Sequence, residues 1–217
     1  MRNRELEIAF STKNPFSFRC VTKLPFFFPS GSQEKMLSFL MGRFEQCGRI
    51  GQILGPHGTG KSTLLEVLSQ HFIESGTTIF KTVLRDRQRW LPPNFADHFM
   101  GYRAENCVVI IDGYEQLTAF SRAWLCWKHR RFGFGLLITS HRPVFGWPVL
   151  YETVPNRETY QRIVQTLLKN EAEIDSQTLD SLFTKHQGNI RLILLELYDQ
   201  WENLSYSNCL VEQNLKK

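Results

Sequence analysis

Up to Pro155, short apolar blocks alternate with stretches of helical spacing; beyond it only the helical spacing continues. The blocks are Ile50–Leu54, Thr77–Leu84, Cys107–Ile111, Gly135–Ile138 and Val149–Val154. Their length and β-branched content predict five strands. Cys107–Ile111 is apolar throughout, which suits a strand covered on both faces of a parallel sheet. Between the blocks, Met36, Phe39, Leu40 and Phe44 recur at helical spacing after Ser32, a candidate N-cap. Leu64, Leu65, Leu68 and Phe72 predict a second helix, stopped by Ser75-Gly76. A third is expected from Glu115 to Arg131. Its end, Lys128-His129-Arg130-Arg131, places cations at the negative pole of the helix dipole. After Pro155 come three more, over Arg157–Lys169, Ser176–His186 and Asn189–Asn203, with Ser176 as a cap and Gly188 as a separator.

Strand–helix alternation followed by helices alone predicts an α/β fold with three layers: a five-stranded, mainly parallel sheet between helices over residues 1–155, then a small helical lid subdomain and tail over 156–217. Residues 1–32 carry Asn14-Pro15-Phe16 and Leu24-Pro25-Phe26-Phe27-Phe28-Pro29. Proline disfavours both helix and central strand, so this part reads as an irregular segment that wraps the core and buries its aromatics.

Composition changes this picture little. Apolar residues make up 42% and charged residues 22% of the 217, ordinary for a globular chain, and 17 phenylalanines supply a well-filled core. A net charge of +5 permits anionic partners without requiring them. The five cysteines, Cys20, Cys47, Cys107, Cys126 and Cys209, are scattered and form no C-x-x-C pair, which argues against a disulfide framework or a zinc site and for a reducing setting. No apolar run approaches the roughly 18 residues of a spanning helix, and MRNRELEIAF lacks the apolar stretch of a signal peptide, so a cytoplasmic location is expected.

The chemistry lies in the turn after the first strand. Gly55-Pro56-His57-Gly58-Thr59-Gly60-Lys61-Ser62 fits G-x-x-x-x-G-K-[ST], the P-loop or Walker A pattern. Its glycines let backbone N–H groups close around an anion, and Thr63 continues the helix whose positive end faces that anion. Lys61 is expected on the β- and γ-phosphates, and Ser62 on Mg²⁺. Asp112, ending the third strand, fits the Walker B carboxylate that shares the Mg²⁺. Glu115 reads either as the general base on an attacking water or as a first-turn acid favoured by the helix dipole. Thr139-Ser140-His141-Arg142 follows the fourth strand, and strand ends of this kind line the ligand crevice in open α/β sheets. The fold is thus expected to be that of a P-loop NTPase. No N-K-x-D guanine-reading motif is present, which favours ATP over GTP.

Walker A at Gly55–Ser62, Asp112, Thr139-Ser140 and Gly188-Asn189-Ile190-Arg191 together resemble the AAA+ ATPases and their STAND relatives. The resemblance implies Thr139 or Ser140 as first sensor and Arg191, in a G-N-x-R pattern, as a second sensor on the γ-phosphate. The chain is also similar over nearly its full length to compact bacterial ATPases of the kind found in planctomycetes, through N-P-F-S, G-P-H-G-T-G-K-S and I-T-S-H-R. Two departures stand out. Gly113 takes the place of a second acid after Asp112, and no second effector domain is evident. Three readings follow: a Mg²⁺-dependent ATPase, a non-hydrolysing nucleotide switch or scaffold, and a helper ATPase for a DNA transaction, the last on the strength of Arg85–Arg89 and Lys128–Arg131. A homo-oligomer, with an arginine from a neighbour at the nucleotide, and a protein partner remain open.

Overall fold

The structure, a computed structural model, describes residues 13–22, 24–29, 31–93, 95, 106–169 and 174–215, with side chains up to 204. Five strands form one sheet: β1 (Ile50–Leu54), β2 (Thr78–Val83), β3 (Cys107–Asp112), β4 (Gly135–Ser140) and β5 (Val149–Glu152). Their order is β2-β3-β4-β1-β5, and all four pairings are parallel. The expected P-loop NTPase architecture is what the chain adopts.

Helices α2 (Gln33–Gln46), α3 (Lys61–Glu74) and α4 (Ala119–Phe132) follow a four-residue turn of helix, α1 (Phe18–Val21). Side chains alternate along a strand, so β3 feeds both faces. Val109 and Ile111 join Leu136, Ile138 and Leu125 of α4 in one apolar cluster. Toward the other face, Val108 and Phe44 of α2 close over Gly135, where a β-carbon would lie 2.8 Å from the Val108 side chain. Phe44 in turn meets Phe72 of α3 edge-on, centroids 5.4 Å apart. Two helical layers thus cover a sheet whose middle strands are sealed from water.

The third expected helix is divided. Tyr114–Gln116 forms a single 3₁₀ turn, Leu117 is extended, and α4 begins only at Ala119. Thr118 is the reason: its hydroxyl accepts from the Ser121 N–H at 3.2 Å and so starts a new helix. Glu115 therefore belongs to the turn after β3 and not to the first turn of α4.

Residues 30–154 form one compact unit; residues 1–29 and 155–217 form the other. The second contains α5 (Arg157–Leu168), α6 (Ser176–Lys185) and α7 (Ile190–Leu215). Tyr160, Val164, Leu179, Leu182, Ile193, Leu197 and Trp201 make its core. Asp175, one residue before Ser176, caps α6 through the Thr178 N–H. The segment before Pro29, read from sequence as a wrap on the sheet core, supplies Phe16 to this helical core, its ring 6.1 Å from that of Trp201. Asn14 fastens the same segment by donating to the Tyr198 carbonyl and the Glu202 carboxylate at 3.1 and 2.8 Å. None of the described helices is long and apolar enough to cross a membrane.

Candidate functional site

Parallel register brings the carboxyl ends of β1, β3, β4 and β5 together. Leu54 pairs with Ser140 and with Glu152, and Ile111 pairs with Ile138, so Gly55, Asp112, Thr139 and Thr153 emerge as neighbours. The order reverses at β1, the place where open α/β sheets leave a ligand crevice.

The loop from Gly55 to Gly60 fills that place. Gly58 and Gly60 lie at φ 73° and 93°, the left-handed region that turns successive N–H groups inward and opens α3 at Lys61. Gly55 is required by crowding: a β-carbon there would sit 2.1 Å from Thr153 Oγ1. That hydroxyl also lies 2.6 Å from Thr59 Oγ1 and donates to the Leu54 carbonyl. Thr153 thus clamps the loop from the neighbouring strand end. Pro56 and His57 are exposed, and so is Ser62 on the first turn of α3, while Thr63 is half-buried.

Lys61 is buried, 8% exposed. Its ammonium donates to the carbonyls of Gly55 and Pro56 at 2.7 and 2.6 Å and lies 3.2 Å from His141 Nδ1. A cation folded onto its own loop is held where an anion would be received.

Asp112 ends β3 with Oδ1 accepting from Thr139 Oγ1 at 2.6 Å, and the same hydroxyl accepts from the Gly113 N–H at 2.9 Å. Thr139 therefore orients the carboxylate. Gly113 has a physical cause: it stands at φ 87°, and a β-carbon would come within 2.8 Å of the Leu84 carbonyl. An acid directly after Asp112 cannot be accommodated without moving β2's end.

The 3₁₀ turn carries Glu115 back toward the loop. Its Oε1 lies 3.1 Å from His141 Nε2, and its Oε2 is buried without a hydrogen-bond partner among the described residues. Arg122 of α4 secures the turn from behind, donating to the Glu115 carbonyl at 2.7 Å and lying over the Tyr114 ring. A cavity of about 420 Å³ opens here, lined by Glu115, Arg122, His141, Arg142 and Phe145 among others.

Ser140, expected beside the nucleotide, is sealed at 1% exposure and donates to the Arg142 carbonyl and to Gln52. Between Thr139 and Ser140, only Thr139 contacts the Asp112 carboxylate. Arg191 is exposed on the second residue of α7, in the helical unit. The Gly188-Asn189 pair before it has local causes. Gly188 ends α6 by donating to the Phe183 carbonyl at 2.9 Å, and the Asn189 side chain accepts from the Leu192 N–H at the start of α7.

Sequence reasoning did not single out Gln52 and Thr153. Gln52 is buried at 1%, and its amide bridges the carbonyls of Val144 and Trp147 while accepting from the Val144 N–H. It ties the loop after β4 to β1. The signal was one polar residue inside an apolar strand, and for Thr153 a hydroxyl at a strand's carboxyl end.

The residues fit the groups that the motif implies. The loop offers N–H groups and an ammonium to an anion. Ser62 and Asp112 offer the hard oxygen donors that Mg²⁺ takes.

No family model matches the chain, and no curated protein matches it. Solved structures do. Two variants of RuvB from Thermotoga maritima superpose with TM-scores of 0.53 and 0.52 at 18% and 20% identity, each over 77% of this chain and 61% of theirs. A replication initiator DnaA, bound to AMPPCP and single-stranded DNA, gives 0.50 at 18% identity over 83% of this chain and 67% of its own. The chain thus spans about three fifths of the RuvB length. What this chain shares with RuvB and DnaA is the fold, a five-stranded parallel P-loop NTPase sheet flanked by helices.

Proposed function

We propose that this protein binds ATP and hydrolyses it in a Mg²⁺-dependent reaction. The observation that carries the reading is the placement of the buried Lys61 ammonium, the Thr139-oriented Asp112 and the half-paired Glu115 at adjoining strand ends around a P-loop. The loop amides from Gly55 to Gly60, with Thr63 behind them, and Lys61 bind the phosphates. Mg²⁺, held by Ser62 and Asp112, supplies charge neutralisation on the phosphate oxygens. Glu115 Oε2, buried and unpaired, accepts a hydrogen bond from the attacking water and takes its proton. For Arg191, on the second residue of α7, the AAA+ resemblance implies a second-sensor role. The finer likeness to compact planctomycete-type ATPases and a cytoplasmic location belong to the same reading.

The test compares turnover of ATP by the wild type and by Glu115→Gln, alongside binding of a non-hydrolysable analogue. Equal affinity with turnover lowered on the order of 10²–10⁴-fold is expected. A wild type that binds the analogue and turns over nothing favours the second reading, a non-hydrolysing switch. Gly113, sterically fixed where a second acid commonly stands, is the observation behind that alternative.

A DNA-handling role draws support from one surface. Trp90, Phe120 and Trp127 are exposed, Trp90 6.5 Å from Phe120 and Trp127 under the Lys128 ammonium, and Arg85, Arg87, Arg89 and Arg131 are exposed on the same loop and helix. Exposed rings between cations suit a stacked, charged strand. Binding to a fluorescent single-stranded oligonucleotide that weakens with salt supports it; no binding at about 50 mM salt sinks it.

A further inference from the structure

The Lys61 ammonium donates to the Gly55 and Pro56 carbonyls at 2.7 and 2.6 Å and lies 3.2 Å from His141 Nδ1. His141 is in turn held at both ring nitrogens and over one face. Its Nδ1 also lies 3.1 Å from the Gly55 carbonyl, its Nε2 lies 3.1 Å from Glu115 Oε1, and the His57 ring covers its face with centroids 3.6 Å apart. One imidazole therefore touches the loop lysine, the loop backbone and the carboxylate that the ATPase reading makes the base.

We propose that His141 is a positioning residue that couples Lys61 to Glu115, so that filling the P-loop changes how Glu115 is held. The proposal rests on the ATPase reading. Its chemistry follows from donor and acceptor inventories. An ammonium only donates, and an ionised carboxylate only accepts. Nε2 must then carry a proton to bind Glu115, and Nδ1 must offer its lone pair to bind Lys61. This tautomer makes the imidazole a bridge with opposite ends. An anion seated in the loop takes the Lys61 ammonium for itself. Nδ1 then loses its donor, and the remaining demand at Nδ1 comes from the Gly55 carbonyl, which accepts and cannot donate. The ring's hold on Glu115 Oε1 changes only when the loop fills.

The two ends of the imidazole are separable by substitution. In His141→Asn the amide oxygen falls near the Nδ1 position and keeps an acceptor for Lys61, while Glu115 loses its donor. In His141→Gln the amide nitrogen falls near Nε2 and keeps a donor for Glu115, while Lys61 loses an acceptor. Freeing Lys61 from one hydrogen bond, worth about 1 kcal/mol, tightens binding of a non-hydrolysable ATP analogue about five-fold. The expected outcome is a split. His141→Asn binds the analogue like wild type and turns ATP over at least ~10-fold more slowly, as befits a displaced general base. His141→Gln binds about five-fold tighter and keeps most of its turnover.

The His141 side chain is 26% exposed, so both variants are expected to fold, and thermal melting checks this. Wild-type protein labelled with ¹⁵N-histidine supplies a readout without substitution: adding the analogue moves the His141 Nδ1 resonance as Lys61 leaves it. Two variants with equal affinity and equal turnover, or a Nδ1 resonance unmoved by saturating analogue, overturn the coupling while the ATPase reading stands. A wild type that fails to bind the analogue removes the ATPase reading itself.

Discussion

Gly113 shows how far a single residue was legible. The sequence marks it as a departure, a glycine where an acid is usual, and goes no further. The structure gives the cause, since the backbone is left-handed and the Leu84 carbonyl stands 2.8 Å from any β-carbon. Gly113→Ala is expected to destabilise the protein by about 1–3 kcal/mol, read as a lower urea midpoint at unchanged slope. The positions of Lys61 and Asp112 were legible, Lys61 because the P-loop pattern fixes residue types at fixed offsets and Asp112 because it ends an apolar run. Their partners Thr153 and Gln52 were not, because a hydroxyl or amide carries meaning only once β5 and β1 lie side by side. Gln52→Leu leaves the Val144 N–H and the Val144 and Trp147 carbonyls without their amide. About 2–3 kcal/mol is expected to be lost, since strandless polar groups stay buried and unpaired. A midpoint within error of wild type would show that the loop after β4 finds other partners.

Strands were easier to read than helix ends. All five strands were legible to within two residues: β1, β3 and β4 because a strand buried on both faces is apolar almost throughout, and β2 and β5, which stay partly exposed, through their β-branched and aromatic residues. The stretch from Glu115 to Arg131 misled because its helical spacing hides the cap at Thr118. That cap decides where Glu115 points. Thr118→Val removes the acceptor for the Ser121 N–H and is expected to cost about 1 kcal/mol of stability. In the helical unit, α5 carries a different lesson. Tyr160 is fully buried, and its hydroxyl has no hydrogen-bond partner among the described residues. Burial pushes its phenol well above the ordinary range, with Asp180 and Glu196 adding to the effect. Such a hydroxyl costs desolvation and returns nothing in stability. Tyr160→Phe is expected to leave stability unchanged or to raise it by up to about 1 kcal/mol; a clear loss in a urea titration would reveal a partner for the hydroxyl.

The two units answer acid through different groups, and the chain's own tryptophans tell them apart. In the sheet unit, burial holds His129 below its ordinary value of 6.5, outweighing the hydrogen bond to the Phe134 carbonyl that favours the charged ring. An unfolded chain therefore binds a proton there before the folded one does. The stability this contributes is intact above 6.5 and declines as pH falls below it. In the helical unit, hydrogen bonds from Lys185 and His186 hold the Glu196 carboxyl below its ordinary value of 4.5. That contribution is intact above 4.5 and is lost only as pH falls through the lower folded value. Acid should thus weaken residues 30–154 over a higher pH range than residues 155–217. Trp124 and Trp147 border the sheet unit's apolar cluster, and Trp201 lies in the helical core. With fluorotryptophan in place of tryptophan, the Trp124 and Trp147 signals are expected to broaden or shift as pH falls below 6.5, while Trp201 holds its folded position until the carboxylate range. Glu196→Gln should abolish the late step at Trp201 and leave the early one alone. Simultaneous loss of all three signals at one pH would mean that the units unfold as one and that neither group sets the order.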